Sequence, residues 1–188
     1  MDGNKIIILG GDNTDNNAVQ LLKGQMNVLK PLVDSGEIEL VKTEAIIAWS
    51  EFNALMKMTM FLKQNGDVNA VLAGNDAIAS GAIEAFKQHQ GSTEAIITGQ
   101  DSDRAALKRI VAGTQQMTIY KSFKNQAHVA AELSMKIANG QSPQFTNVIN
   151  NGKVDVPALM VDVLVVTKDN IKQTVIADGL YTESEIYE

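Results

Sequence analysis

The feature that most constrains this chain is its rhythm: short unbroken apolar runs alternate with longer stretches of helical periodicity. The runs are Ile6–Leu9, Ile38–Val41, Ala70–Ala73, Ala95–Thr98 and Met117–Tyr120, bounded by Gly, Asn or Asp. A run such as Ile6-Ile7-Ile8-Leu9, with no polar alternation, suits a strand buried on both faces of a parallel sheet. Between the runs lie helical patterns at Asn17–Ser35, Glu51–Asn65, Ala77–Gln90 and Asp103–Ala112. Asp15 or Asn16 can cap the first of these and Gly36 follows its end; Ser50 can cap the second and Gly66 closes it. A β-α-β-α-β-α-β-α-β order specifies an α/β fold, a doubly wound parallel sheet with right-handed crossovers.

After Tyr120 the rhythm changes. A helical pattern over Asn125–Ala138 ends at Asn139-Gly140, and Pro143 prevents simple continuation. A polar strand candidate follows at Phe145–Asn150, then Asn151-Gly152, then a strand pattern over Ala158–Val166 interrupted by Asp162. Asn-Gly between two strand-like runs signals a hairpin. Asn170–Ala177 reads as a last short helix stopped by Gly179.

Ligands of open α/β sheets bind outside the carboxyl ends of the strands, so those positions are the first functional test. They hold Gly10–Asn17 after the first strand, Trp49 after the second, Gly74-Asn75-Asp76 after the third, Gly99–Asp103 after the fourth and Lys121 after the fifth. Amides, carboxylates, an ammonium and one indole suit a sugar. Its hydroxyls both donate and accept, and an indole face covers the apolar side of the ring. Asn and Asp also cap helices with no ligand present, and a single tryptophan is commonly a core or interface residue.

Other chemistries find less support. The 16 Lys+Arg against 22 Asp+Glu give a net charge of −6 with no basic cluster, which argues against nucleic acid. There is no cysteine for a disulfide, thiolate metal site or nucleophile. No apolar run approaches the length of a membrane span. Asp12, Asp15, Asp101 and Asp103 could form a metal or phospho-acceptor cluster, but acids at helix starts usually cap them, and the phosphate-binding Gly-Lys-Ser/Thr signature is absent. His89 and His128 sit in separate helices. Met56, Met58 and Met60 read as packing, and Lys108 and Arg109 as partners of a helix dipole. No enzyme, metal or cofactor is expected.

The stretches AVLAGNDAIASGAIEAF (Ala70–Phe86) and ITGQDSDRAALKRIVAGTQQMTIYK (Ile97–Lys121) closely resemble the C-terminal lobe of periplasmic D-xylose-binding proteins, class I solute-binding proteins of ABC importers. DNNAVQLLKGQMNVLKPLVDSGEIELV and DNIKQTVIADGLYTESE resemble the same family. The resemblance covers essentially the whole chain. It implies that Asn17, Trp49, Asn75, Asp101 and Lys121 contact the sugar, with Trp49 as the stacking indole. The residues before Trp49 differ from the family's usual Asp-Gly.

The same resemblance implies a two-lobed parent closing on a pentose, with D-xylose first, for ABC-type uptake or sensing. An effector domain of a sugar-responsive transcription regulator shares the fold and is the alternative. Roughly the first half of the family's chain has no counterpart here, so the chain is expected to be a C-terminal fragment opened by Met1, lacking the signal peptide of a periplasmic or extracellular, membrane-associated parent. Residues 1–120 then form the C-terminal sugar-binding lobe, 121–153 belong to the otherwise absent N-terminal lobe, and 154–188 cross back to the terminal helix. The expected partners are the sugar, an ABC permease or membrane sensor, and either the missing lobe or a second copy that docks or swaps over Ser122–Lys153.

Overall fold

The computed structural model describes residues 4–89 and 95–188. Strands β1 (Lys5–Gly10), β2 (Glu39–Ala45), β3 (Ala70–Ala73) and β4 (Ile96–Thr98) form a parallel sheet in the order β2-β1-β3-β4. A parallel bridge from Thr98 to Met117 brings β5 (Thr118–Tyr120) alongside β4. Helices α1 (Asn16–Asp34), α2 (Glu51–Asn65), α3 (Asp76–Gln88) and α4 (Arg104–Ala112) make the crossovers. The doubly wound α/β fold read from the sequence is therefore the observed one. The expected helix end at Gln90 lies outside the described residues.

The apolar runs become the core for the reason their pattern gives. Ile7, Ile8 and Leu9 are each no more than 1% exposed. Strand geometry sends alternate residues to opposite faces. Ile7 and Leu9 accordingly join Ala54, Met58, Leu62, Ile78 and Phe86 from α2 and α3 in one cluster, while Ile8 lies outside it. The helix ends follow local chemistry. The Asp15 carboxylate accepts from the Asn17 amide at the start of α1, and Ser50 caps α2 through the Asn53 amide. Gly66 ends α2 at φ +75°, which a residue with a Cβ adopts only under strain.

The chain divides into two compact units, Met1–Tyr120 with Val165–Glu188, and Lys121–Leu164. In the first, the returning segment seals a second core cluster. Val166 of β8 (Leu164–Val166), Ile171, Val175 and Ile186 enclose Leu107, Ile110 and Tyr120. The expected helix over Asn170–Ala177 is a π-helical turn at Lys172–Ile176. A further helix, α6 (Glu183–Tyr187), was not anticipated although Thr182 and Glu185 spell a capping box that the structure forms.

The second unit holds α5 (Phe123–Ala138) and an antiparallel hairpin of β6 (Asn147–Asn150) and β7 (Asp155–Ala158). The Asn151-Gly152 turn is where the sequence put it, tightened by Asn151 Oδ1 accepting from the Lys153 and Val154 amides. The return strand, however, is Asp155–Ala158 rather than Ala158–Val166. A tight turn fixes the register, so the partner strand starts beside the turn at Asp155 and ends at Ala158, and of the rest of the apolar pattern only Leu164–Val166 is extended into a strand. Neither α5 nor either strand of the hairpin buries a residue. Phe123, Met135, Ile137 and Val148 are each more than half exposed.

Candidate functional site

Strand order β2-β1-β3-β4 has its switch point between β1 and β3, because the chain leaves β1 toward one neighbour and returns on the other side. The side chain standing there is Trp49. A Cβ built on Gly11, just past β1, would collide with the indole carbons Cη2 and Cζ2. One built on Gly74, just past β3, would meet Cζ3 at 3.0 Å. The indole therefore rests against the bare backbone at the ends of both strands, and glycine at these positions makes room for it.

The turn that delivers Trp49 is strained. Ala48 and Trp49 have φ of +55° and +53° in a 3-10 turn over Ile47–Trp49. Each left-handed residue with a Cβ costs about 1–2 kcal/mol. Compensation comes from the β1–α1 loop. Asp12 Oδ2 accepts from the Ala48 amide at 2.8 Å while its Oδ1 accepts from the Thr14 amide and hydroxyl at 3.0 and 2.7 Å. These donors, the Ala48 amide first, hold the Asp12 carboxyl down at about 2. The indole Nε1 donates to Asp15 Oδ2 at 3.2 Å.

Four of the five residues expected to contact a sugar are joined by short links within the first unit. Asn17, exposed in the first turn of α1, donates its amide to the same Asp15 that holds the Trp49 indole. Asn75 follows Gly74 and caps α3, its Oδ1 accepting from the Ile78 amide at 2.9 Å. The cap occupies the oxygen, leaving the Asn75 amide nitrogen outside it. Asp101 sits at φ +100°, its amide donating to Ile119 O at 2.9 Å, and the neighbouring Gln100 carbonyl accepts from the Asp76 amide at 2.9 Å. Lys121 opens the second unit, where with Val129, Leu133, Leu159, Met160 and Val163 it lines a cavity of about 400 Å³.

The sequence did not expose what supports these groups. Asp76, read only as part of the Gly-Asn-Asp stretch, is 1% exposed, with Gln115 and Thr118 equally enclosed. Arg109 does more than complement a helix dipole: its Nε donates to Gln115 Oε1 at 3.0 Å and its NH2 to Asp76 O at 3.1 Å. A carboxylate in the first turn of a helix, with a strand between it and its Arg and Gln partners, leaves no local sequence signal. Ser102, at φ +58°, buries a hydroxyl oxygen with no hydrogen-bond partner. Asp103 is pushed above the usual carboxylate range by burial and by the charge of Asp101, with Arg109 pulling the other way. Two of the acidic residues of this edge are thus occupied with backbone and side-chain donors. Asp12 serves Ala48 and Thr14, and Asp15 serves Asn17 and Trp49.

Known proteins resemble this chain in sequence and fold. A D-xylose-binding periplasmic protein of Escherichia coli is 46% identical over 95% of this chain, and one of Haemophilus influenzae is 42% identical over 96%. The chain spans about half the length of these relatives, 54% of each. A solved ABC transporter solute-binding protein from Clostridium phytofermentans, with β-D-glucose bound, is 29% identical and superimposes with a TM-score of 0.87, covering 99% of this chain and 61% of its own. All three are binding proteins, not enzymes. The family model described as the periplasmic binding protein domain matches residues 1–142. With three quarters of its length inside that match, the chain belongs to the periplasmic binding protein domain family.

Proposed function

We propose that this chain forms one sugar-binding lobe of a periplasmic solute-binding protein, with D-xylose as the favoured ligand. Asn17, Trp49, Asn75, Asp101 and Lys121 are the groups that hold it. The observation that carries this reading is the Trp49 indole laid across the ends of β1 and β3, at the switch point where this sheet type receives ligands. Indole against the apolar face of the ring, with amide and carboxylate partners for the hydroxyls, is the chemistry that a pentose requires. The choice of xylose draws on the two D-xylose-binding relatives. Binding is non-enzymatic. In the two-lobed protein it drives hinge closure, which an ABC permease or membrane sensor reads.

The second unit fits the same proposal. Its residues 121–153 are assigned to the other lobe of the parent, and the apolar side chains of α5 and the hairpin are covered there by that lobe or, in this chain alone, by a second copy.

Trp49 is the sole tryptophan, so its fluorescence reports the site directly. Titration with D-xylose is expected to shift its emission at concentrations where an unrelated hexose does not. Equal responses to both sugars, or none, overturn the reading.

A further inference from the structure

Asp76 is the one acidic side chain among the described residues that is fully enclosed. It is bonded at every polar atom. Oδ1 accepts from Gln115 Nε2 at 2.9 Å; Oδ2 accepts from the Asp103 amide at 2.9 Å and the Thr118 hydroxyl at 3.0 Å. Its own amide donates to Gln100 O at 2.9 Å, and its carbonyl accepts from Arg109 NH2 at 3.1 Å. One carboxylate thus ties the start of α3, where Asn75 sits, to the Gln100–Asp103 loop, where Asp101 sits, and to β5.

The wiring is made for the ionised form. Gln115 cannot turn its carbonyl toward Asp76, because its Oε1 accepts from Arg109 Nε at 3.0 Å and its Nε2 also donates to Met117 O at 3.1 Å. A proton on Oδ1 would therefore face a fixed amide N–H. A proton on Oδ2 can be taken by a rotated Thr118 hydroxyl, but the Asp103 amide then loses its charged acceptor, the stronger kind. We propose that Asp76 is a positioning residue: its ionised carboxylate holds the Asn75 and Asp101 loops in binding register, and its protonation releases the Asp101–Asp103 loop from the Asp103 amide bond, with Asp76 itself still enclosed beside Gln115 and Thr118, and weakens the ligand. The ligand half of this statement rests on the sugar-binding reading.

Burial pushes the Asp76 carboxyl up to about 6, against the pull of the Asp103 amide, Gln115 and Thr118. Mild acid is enough to reach it. The charged groups around it are Asp103, just before α4, and Arg109 of α4, with Asp101 acting on Asp103 and Glu51 of α2 acting on Arg109. From β5 it meets only the uncharged Thr118.

The test follows amide hydrogen exchange at Asp101–Arg104, corrected for its intrinsic pH dependence, together with D-xylose titration, at about pH 7.5 and about pH 5. In the native chain, loop exchange is expected to quicken roughly tenfold at the lower pH, the factor one charged hydrogen bond supplies, and xylose affinity to fall with it. Asp76→Asn should abolish the pH dependence of both. Thr118→Val removes one donor to the ionised form and also the acceptor of the Ser102 amide, so exchange is faster at every pH, and its readout is the midpoint, which should move to higher pH and decides the matter if Asp76→Asn does not fold. A role confined to global stability gives the opposite sign, because a carboxyl raised by burial stabilises the fold as it takes up its proton. Flat exchange in the native chain, xylose affinity independent of pH, or pH dependence that survives Asp76→Asn overturns the proposal. Loop exchange of the expected form with no sugar bound at either pH supports the Asp76 lock and overturns the sugar reading instead.

Discussion

The two oxygens of the Asp15 carboxylate serve two elements: Oδ1 caps α1 through the Asn17 amide at 2.8 Å, and Oδ2 receives the Trp49 indole N–H at 3.2 Å. The orientation of the aromatic platform is thereby linked to the start of the first helix. A side chain that can cap but cannot reach the indole separates the two roles.

Asp15→Ser is that side chain. It should retain the cap and most of the stability, whereas Asp15→Ala should lose about 1 kcal/mol with the cap. Both should redden and broaden the Trp49 emission as the indole loses its anchor. Urea unfolding and the emission spectrum of the two variants check this. An unchanged spectrum in both shows that Asp15 does not set the pose.

Gly74→Ala places a methyl group at 3.0 Å from Trp49 Cζ3, with Gly11 N at 3.1 Å on the other side. The indole must then lift from the sheet edge. Xylose affinity should fall at least tenfold, about 1.4 kcal/mol, while far-ultraviolet circular dichroism keeps its native form. Calorimetric titration of the variant measures it.

Two carboxyls make opposite contributions to stability as pH changes. Asp12 lies at about 2 in the fold, below its ordinary 3.8, so it contributes stability above about 3.8 that is lost as pH falls through about 2. Asp76 lies at about 6, above its ordinary 3.8, so its contribution is complete below about 3.8 and is lost as pH rises through about 6. The second effect is bounded at about 3 kcal/mol. Denaturation midpoints collected from about pH 3 to about pH 8 should therefore contain a component that declines between about 4 and 6 and disappears in Asp76→Asn.

Much of this was legible in the sequence and some was not, for physical reasons. Ile6–Leu9 and Ala70–Ala73 declared themselves as strands because burial on both faces permits no polar residue. Asp15, Ser50, Asn151-Gly152 and Gly66 act within a few residues of themselves, so local pattern finds them. The Trp49 pose depends on Gly11 and Gly74, which are distant in sequence, and on Asp12 reaching across to Ala48. The Asp76 network joins α3, α4 and β5 in space alone. The Ala158–Val166 run misled because hydropathy reports burial, whereas pairing there is set by the turn at Asn151-Gly152.

The apolar surface of the Lys121–Leu164 unit carries its own expectation. Phe123 at 57%, Met135 at 61%, Ile137 at 57% and Val148 at 66% exposure are costly to leave in water. The chain alone should gain mass with concentration in light scattering, and Met135→Glu together with Val148→Glu should suppress this. A clean monomer at high concentration, with residues 122–153 protected from exchange, excludes association through this surface.

The first unit is discontinuous: Val166, Ile171, Val175 and Ile186, from the last two dozen residues, close the cluster around Leu107, Ile110 and Tyr120. On a ribosome that cluster stays open until Ile186 has been added and has cleared the exit tunnel, because domains settle only once their pieces have emerged. Waiting costs little free energy, since closing a loop of this length adds only a logarithmic entropy. It does lengthen the interval in which Leu107 and Ile110 are within reach of chaperones and proteases. A stalled or C-terminally nicked product would therefore be marked for disposal by the very residues that the finished chain hides.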